Sequence, residues 1–424
     1  MDLDDLILVS VDDHIIEPPD VFARQLPSKW ADDAPTLVQR PDGTIVWRYQ
    51  GTQVATLALN AVVGRNPDEL GYEPTSYSEI RAGCYDVRER IRDMNAAGVL
   101  ASMCFPSFPG FAGRLFIEAP DKALSAVILR AYNDWHIHEW CGAAPGRFLP
   151  LAIGPLWDPQ LMADEVHRVA ALGCHAMTFS ENPDRLGLPS LHTDFWDPFW
   201  KACCETGCVP CIHIGSSSEL TMTTMDAPVD VVTTLAPFAI MKCATDLIWS
   251  SIFRKFPDLK IALSEGGIGW IPYLLDRVDR NYLRHRHWTG QDFGDRLPSE
   301  VFRSHVLTCF IQDPVGLANR ERIGVENIMW ECDYPHGDSI WPLCPEEFMD
   351  EAVGLTDREI DLITHENAMR SFQFDPFLVR PRESCTVGAL RAESADVDTA
   401  VHTTGIRRGR PGQTMEQVMA NVNV

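Results

Sequence analysis

Eight short apolar runs, each followed by a longer amphipathic stretch, restrict what this chain can fold into more than any other feature. They fall at residues 7–11, 101–105, 148–153, 176–179, 209–214, 260–264, 306–310 and 327–330. Helical patterns at 87–97, 123–140, 159–172, 196–206 and 270–282 lie between them. Continuous apolar runs of this length suit strands covered on both faces. Strands alternating with helices argue for parallel βαβ units. A (β/α)8 TIM barrel is the simplest closure, and a doubly wound open sheet is the runner-up.

Two regions fall outside this rhythm. Residues 36–75 contain "GTIVWRYQGTQVATLAL", which predicts a β-hairpin inserted after the first strand. From 376 onward the periodicity fades, which predicts an extended arm or disordered tail over 376–424 with a short helix at 414–421. The barrel then occupies 1–375. A net charge of −24 argues against nucleic acid and an anionic membrane surface as partners. The opening "MDLDDLIL" is acidic where a secretory leader is basic, and no run reaches the ~18 apolar residues of a membrane span. The 13 cysteines are odd in number and scattered through apolar segments, so reduced thiols and a cytoplasmic location are expected.

The first run ends abruptly in Asp12-Asp13-His14. Residues two apart share a face of a strand, so Asp12 and His14 project together and Asp13 points away. In a barrel this end is the C-terminal mouth, where chemistry is placed. A carboxylate beside an imidazole suits a divalent metal. Further ligands are expected at other strand ends: His213 in "VPCIHIG" and Asp333 in "MWECDYPHGDSIWP" fit. The pairs His136/His138 and His285/His287 sit in helical patterns, where positions two apart diverge by about 200°, so they are expected to be surface or interface residues. The cluster "CCETGCVPC" offers Cys203, Cys204, Cys208 and Cys211, expected to be buried inert thiols. His175 follows the logic of a strand end and could line the mouth.

The ordered set "SVDDHIIEPP", "VPCIHIG" and "DYPHGDS", with "AYNDW" and "FPDLKIALSEGGIGWIPYLLDR", resembles the amidohydrolase-related family of metal-dependent TIM barrels. The resemblance runs from about residue 7 to 376 and is greatest to the branch of aminocarboxymuconate semialdehyde and γ-resorcylate decarboxylases. It implies Asp12, His14, His213 and Asp333 as ligands of one divalent ion, zinc first, with manganese or iron as alternatives. It also implies a homodimer or higher homo-oligomer and a small-molecule substrate. The family more often has His-x-His on the first strand, so Asp12 makes the ion a weaker Lewis acid. On strand six, alternation puts Glu265 where the family places a proton-transfer histidine, and Glu265 is expected to act as a base towards metal-bound water.

Asp333 is the expected general base and proton shuttle, with Glu265 and His213 beside it. Glu17, His336 and Asp338 are candidates for touching substrate or supporting the ligands. Glu331 either lines the barrel or is turned away by a bulge. An acidic inner site without a strand-end arginine disfavours a carboxylate substrate, although Arg88, Arg90 or Arg114 could reach in. Hydrolysis of an amide, ester or related C–N or C–O bond is therefore the first expectation. Decarboxylation of an aromatic or muconate-type acid is the alternative, and a catalytically dead binding barrel a further one.

Overall fold

The computed structural model describes residues 1–71, 73–405 and 412–422. All eight apolar runs form strands: β1 (Leu8–His14), β2 (Val99–Phe105), β3 (Phe148–Leu149 and Ala152–Ile153), β4 (Ala176–Phe179), β5 (Val209–His213), β6 (Ile261–Ser264), β7 (Val306–Phe310) and β8 (Ile328–Trp330). β3 is interrupted at Pro150, which has no N–H to give a ladder. Each strand pairs in parallel with the next from β1 to β8. The chain leaving β8 then returns to β1: Asp333 N donates to Asp12 O at 2.9 Å and His14 N to Tyr334 O at 2.6 Å. The ring thus closes as a (β/α)8 barrel.

Alternation along the strands divides the apolar residues into two packed layers. Val9, Val11, Met103, Leu149, Cys211, Ala262, Leu307 and Met329 fill the barrel interior. Leu8, Met177, Ile212, Ile261 and Ile328 pack outward in the layer shared with the helices. All 13 cysteines are free thiols and only Cys204 is not fully buried, as expected.

The insertion is a three-stranded antiparallel sheet, with Ile45–Tyr49 between Thr36–Gln39 and Thr52–Gln53. The expected second hairpin arm stops at Gln53, and residues 55–59 turn towards the barrel mouth instead. The C-terminal region is more ordered than an arm or disordered tail over much of its length. Cys385 and Leu390 join the interior cluster from beneath the barrel, and Val387 N donates to Leu6 O at 2.8 Å. Beyond them His402 to Gly405 run along the insertion, and the expected terminal helix forms at Met415–Val422.

One expectation needs correction. The helical stretch Val229–Trp249 has the length and mean hydropathy of a membrane span. Pro237 separates it into two helices, and Ile240, Cys243, Ala244, Leu247 and Ile248 bury one stripe against the core. With 33% of the stretch buried, it lies against the barrel by one amphipathic face.

Candidate metal centre

A β-bulge decides which way the first ligands point. The β1–β2 register shifts between Ser10 and Asp13, giving β1 an extra residue. Such a bulge re-aims the residues beyond it. Val9 and Val11 face the interior before it, and Asp12 and His14 face the interior after it. Asp13 faces away as expected but is not idle. It accepts from Ser10 Oγ at 3.1 Å, from Tyr334 N at 3.0 Å and from Ser102 Oγ, tying β1 to β2 and to the β8 loop.

His213 and Asp333 arrive from the ends of β5 and β8, and all four expected ligands are buried. His14 Nε2 lies 3.5 Å from Asp12 Oδ1, 3.3 Å from Asp333 Oδ1 and 3.3 Å from His213 Nε2. His213 Nε2 lies 3.5 Å from Asp12 Oδ2 and 2.8 Å from Glu265 Oε2. None of the four carboxylate oxygens of Asp12 and Asp333 makes a well-aligned hydrogen bond; their close polar contacts are to ring nitrogens of His14, His213 and His336. Burial, with Glu331 and Glu265 nearby, pushes the Asp12 carboxyl well above its usual range; burial and Glu265 do the same to Asp333. Burial and the neighbouring His336 and His213 rings hold the His14 imidazole well below its usual value. Buried, unpartnered donors converging like this fit a divalent cation, which would offset their mutual repulsion.

Glu265 does face the cluster, its backbone turned at φ +55° into the left-handed region. The adjoining Gly266 permits this turn to pack closely: a Cβ there would meet Ile240 Cγ2 at 2.6 Å. His336 stacks on His14 with centroids 3.8 Å apart, and its Nδ1 lies 2.9 Å from Asp333 Oδ1. Asp338 sits exposed at the rim. Glu331 lines the barrel beneath the cluster, accepting from Cys309 Sγ at 2.6 Å, and burial pushes its carboxyl up to about 8. Glu17 lies outside the cluster. Its carboxylate holds Ser107 N and Phe108 N at 2.9 Å each and the Tyr132 hydroxyl at 2.9 Å, so it orders the loop after β2.

Three other expectations change. Arg90 is buried below the site, donating to Gly83 O at 2.7 Å and to His14 O, while Arg88 is exposed and Arg114 pairs with Glu118 at 2.6 Å. None of the three enters the cluster. His136 is buried rather than at the surface, packed near Tyr132 and Trp135. His175 precedes β4, at the barrel end opposite the mouth, near Gln373.

Beside the donors, reached at Glu265 and His336, lies a cavity of about 210 Å³ lined also by Leu59, Asn60, Phe111, Ile214, Gly215, Glu219, Leu220, Thr221, Val232, Ala236 and Ala239. Among the described residues, neither lysine nor arginine lines it. Phe111 packs on the His213 ring, centroids 4.0 Å apart. Sequence reasoning missed these walls; the one signal was the aromatic, proline- and glycine-rich "FPSFPGF" directly after β2.

A family model described as Amidohydrolase matches residues 81–374. A γ-resorcylate decarboxylase of Rhizobium sp. (strain MTP-10005) is 26% identical over 290 residues, 63% of this chain and 83% of that protein. Among solved structures, an amidohydrolase of Mycobacterium avium subsp. paratuberculosis K-10 superposes with TM-score 0.67 at 20% identity, covering 87% of this chain and 98% of that one. A 5-carboxyvanillate decarboxylase of Novosphingobium aromaticivorans DSM 12444, with bound manganese and 3-methoxy-4-hydroxy-5-nitrobenzoic acid, gives TM-score 0.61 at 17% identity, covering 87% and 97%.

Proposed function

Because this chain belongs to the amidohydrolase family, we propose that it is a metal-dependent decarboxylase of a small aromatic carboxylic acid. The observation that carries this reading is the largely apolar cavity of about 210 Å³ that reaches Glu265 and His336 at the edge of the donor cluster. A cavity of roughly 150 Å³ holds benzene, so this one has room for a single substituted ring. The γ-resorcylate and 5-carboxyvanillate decarboxylases among its relatives point the same way and move decarboxylation ahead of the hydrolysis first expected.

Asp12, His14, His213 and Asp333 would hold one divalent ion. Its donors number as many carboxylates as imidazoles, with Glu265 at the edge, which favours manganese over the zinc first expected. When bound, the ion would supply a positive centre for the substrate carboxylate, which no arginine among the described residues lining the cavity provides. Phe111, Ile214, Leu220 and Val232 flank the ring and exclude water. Asp333 then gives its proton to the ring carbon bearing the carboxylate. The C–C bond to that carboxylate breaks, its electron pair returns to the ring, and CO2 leaves. Asp333, now anionic, recovers a proton through His336 Nδ1, 2.9 Å away.

Incubating manganese-loaded protein with hydroxybenzoates, and with aryl amides and esters, tests this. Release of CO2 with a new ring C–H signal by NMR is the expected result. Turnover of amides or esters without CO2 release returns hydrolysis to first place.

A further inference from the structure

We propose that Glu265 is a fifth ligand of the ion, supplied by the end of β6, rather than a proton-transfer group beside it. The proposal rests on the reading that the cluster holds a divalent ion and is independent of which reaction follows. Bonds of roughly 2.1 Å from an ion place neighbouring donor atoms about 3.0–3.4 Å apart. The donor separations around His14 and His213 run from 3.3 to 3.5 Å. Glu265 Oε2 lies closer still, 2.8 Å from His213 Nε2, so its carboxylate is already at the cluster. One Glu265 oxygen also lies within 4.8 Å of donor atoms on His14, Asp333 and His336.

The proton on His213 sharpens the point. Nδ1 lies 2.6 Å from the Ile214 carbonyl oxygen, which can only accept. Nδ1 therefore carries a hydrogen, which leaves Nε2 as the ring nitrogen turned to the cluster. Nε2 faces Asp12 Oδ2, His14 Nε2 and Glu265 Oε2. A proton on Nε2 would serve one of these acceptors, whereas a cation among them serves all.

The backbone repeats one device on two strands. Asp333 and Glu265 are both non-glycine residues in the left-handed region, at φ +57° and +55°, each just past the end of a barrel strand. Strain of this kind persists where the surroundings hold it for a purpose. At both positions it turns a carboxylate onto the same cluster.

A crystal structure of the manganese-loaded protein, solved without substrate, decides the matter. A Glu265 oxygen within roughly 2.4 Å of the ion supports the proposal. An ion held by Asp12, His14, His213 and Asp333 with Glu265 outside bonding distance, or bridged by water, overturns it alone. A wild-type protein that takes up no ion sinks the metal reading itself. In solution, chelator competition should show manganese binding at least about tenfold weaker in Glu265→Gln, with the rim variant Asp338→Asn unchanged. A smaller loss in a Glu265→Gln protein that melts cooperatively counts against the proposal.

Discussion

Four buried carboxylate oxygens without a hydrogen bond, on Asp12 and Asp333, cost the metal-free protein stability. Asp12→Asn should therefore act with opposite signs: a higher melting temperature than wild type without metal, and weaker metal binding, read by calorimetry with and without manganese. A lower melting temperature for the metal-free variant would mean that Asp12 has another partner. His136 gives a pH-dependent prediction. Burial lowers its imidazole from 6.5 to about 3, so the unfolded chain takes up the proton first as pH falls. Its contribution is complete above about pH 6.5 and is lost as pH falls towards 3, reaching ~2 kcal/mol at pH 5. Denaturant unfolding at pH 7 and pH 5 should show His136→Phe losing about 2 kcal/mol less than wild type between the two. The pairing of Asp12 with His14 was legible because strand period two is a local rule. The bulge that aims both inward was not, since it depends on the partner strand. His136 was misread because helical spacing says which residues diverge, not which side is covered.

At the level of elements, the strands were legible because buried parallel strands need unbroken apolar runs, and Pro150 alone interrupts one of them. The cavity walls were not, since Leu59, Phe111 and Thr221 come from loops that carry no periodicity. Glu17 links the two kinds of element. Placed just past β1, it binds two backbone N–H groups of the β2 loop that leads to Phe111. Glu17→Ala would leave those donors unpaired at a cost of about 1–3 kcal/mol. The expected outcome is a lower melting temperature together with a higher KM, because Phe111 loses its anchor. An unchanged KM would separate the loop from substrate binding.

Over the whole molecule, the C-terminal region holds two walls of the cavity. On one side His402 N donates to Gly64 O at 2.9 Å, and the Glu69 carboxylate accepts from Thr404 N at 3.0 Å and Gly405 N at 2.9 Å. On the other, Met415 N donates to Ala227 O at 3.1 Å and Glu416 N to Met225 O at 2.8 Å. The first wall carries Leu59 and Asn60, the second Leu220 and Val232. Removal of residues 399–424 should raise KM and quicken proteolytic cleavage within 215–235, while the barrel keeps its circular dichroism. Loss of that signal would show the tail to be needed for folding itself.

The closure of β8 onto β1 also sets a timetable for the ribosome. Asp12 and His14 emerge early, but the backbone that pairs with them, Asp333 and Tyr334, follows about 320 residues later. At roughly 5–20 residues per second this is a wait on the order of 20–60 s. Throughout it the nascent chain carries an unpaired β1 edge and lacks Asp333. A stop codon anywhere upstream of Asp333 therefore yields a chain in which β8 has no backbone link by which to close the ring onto β1.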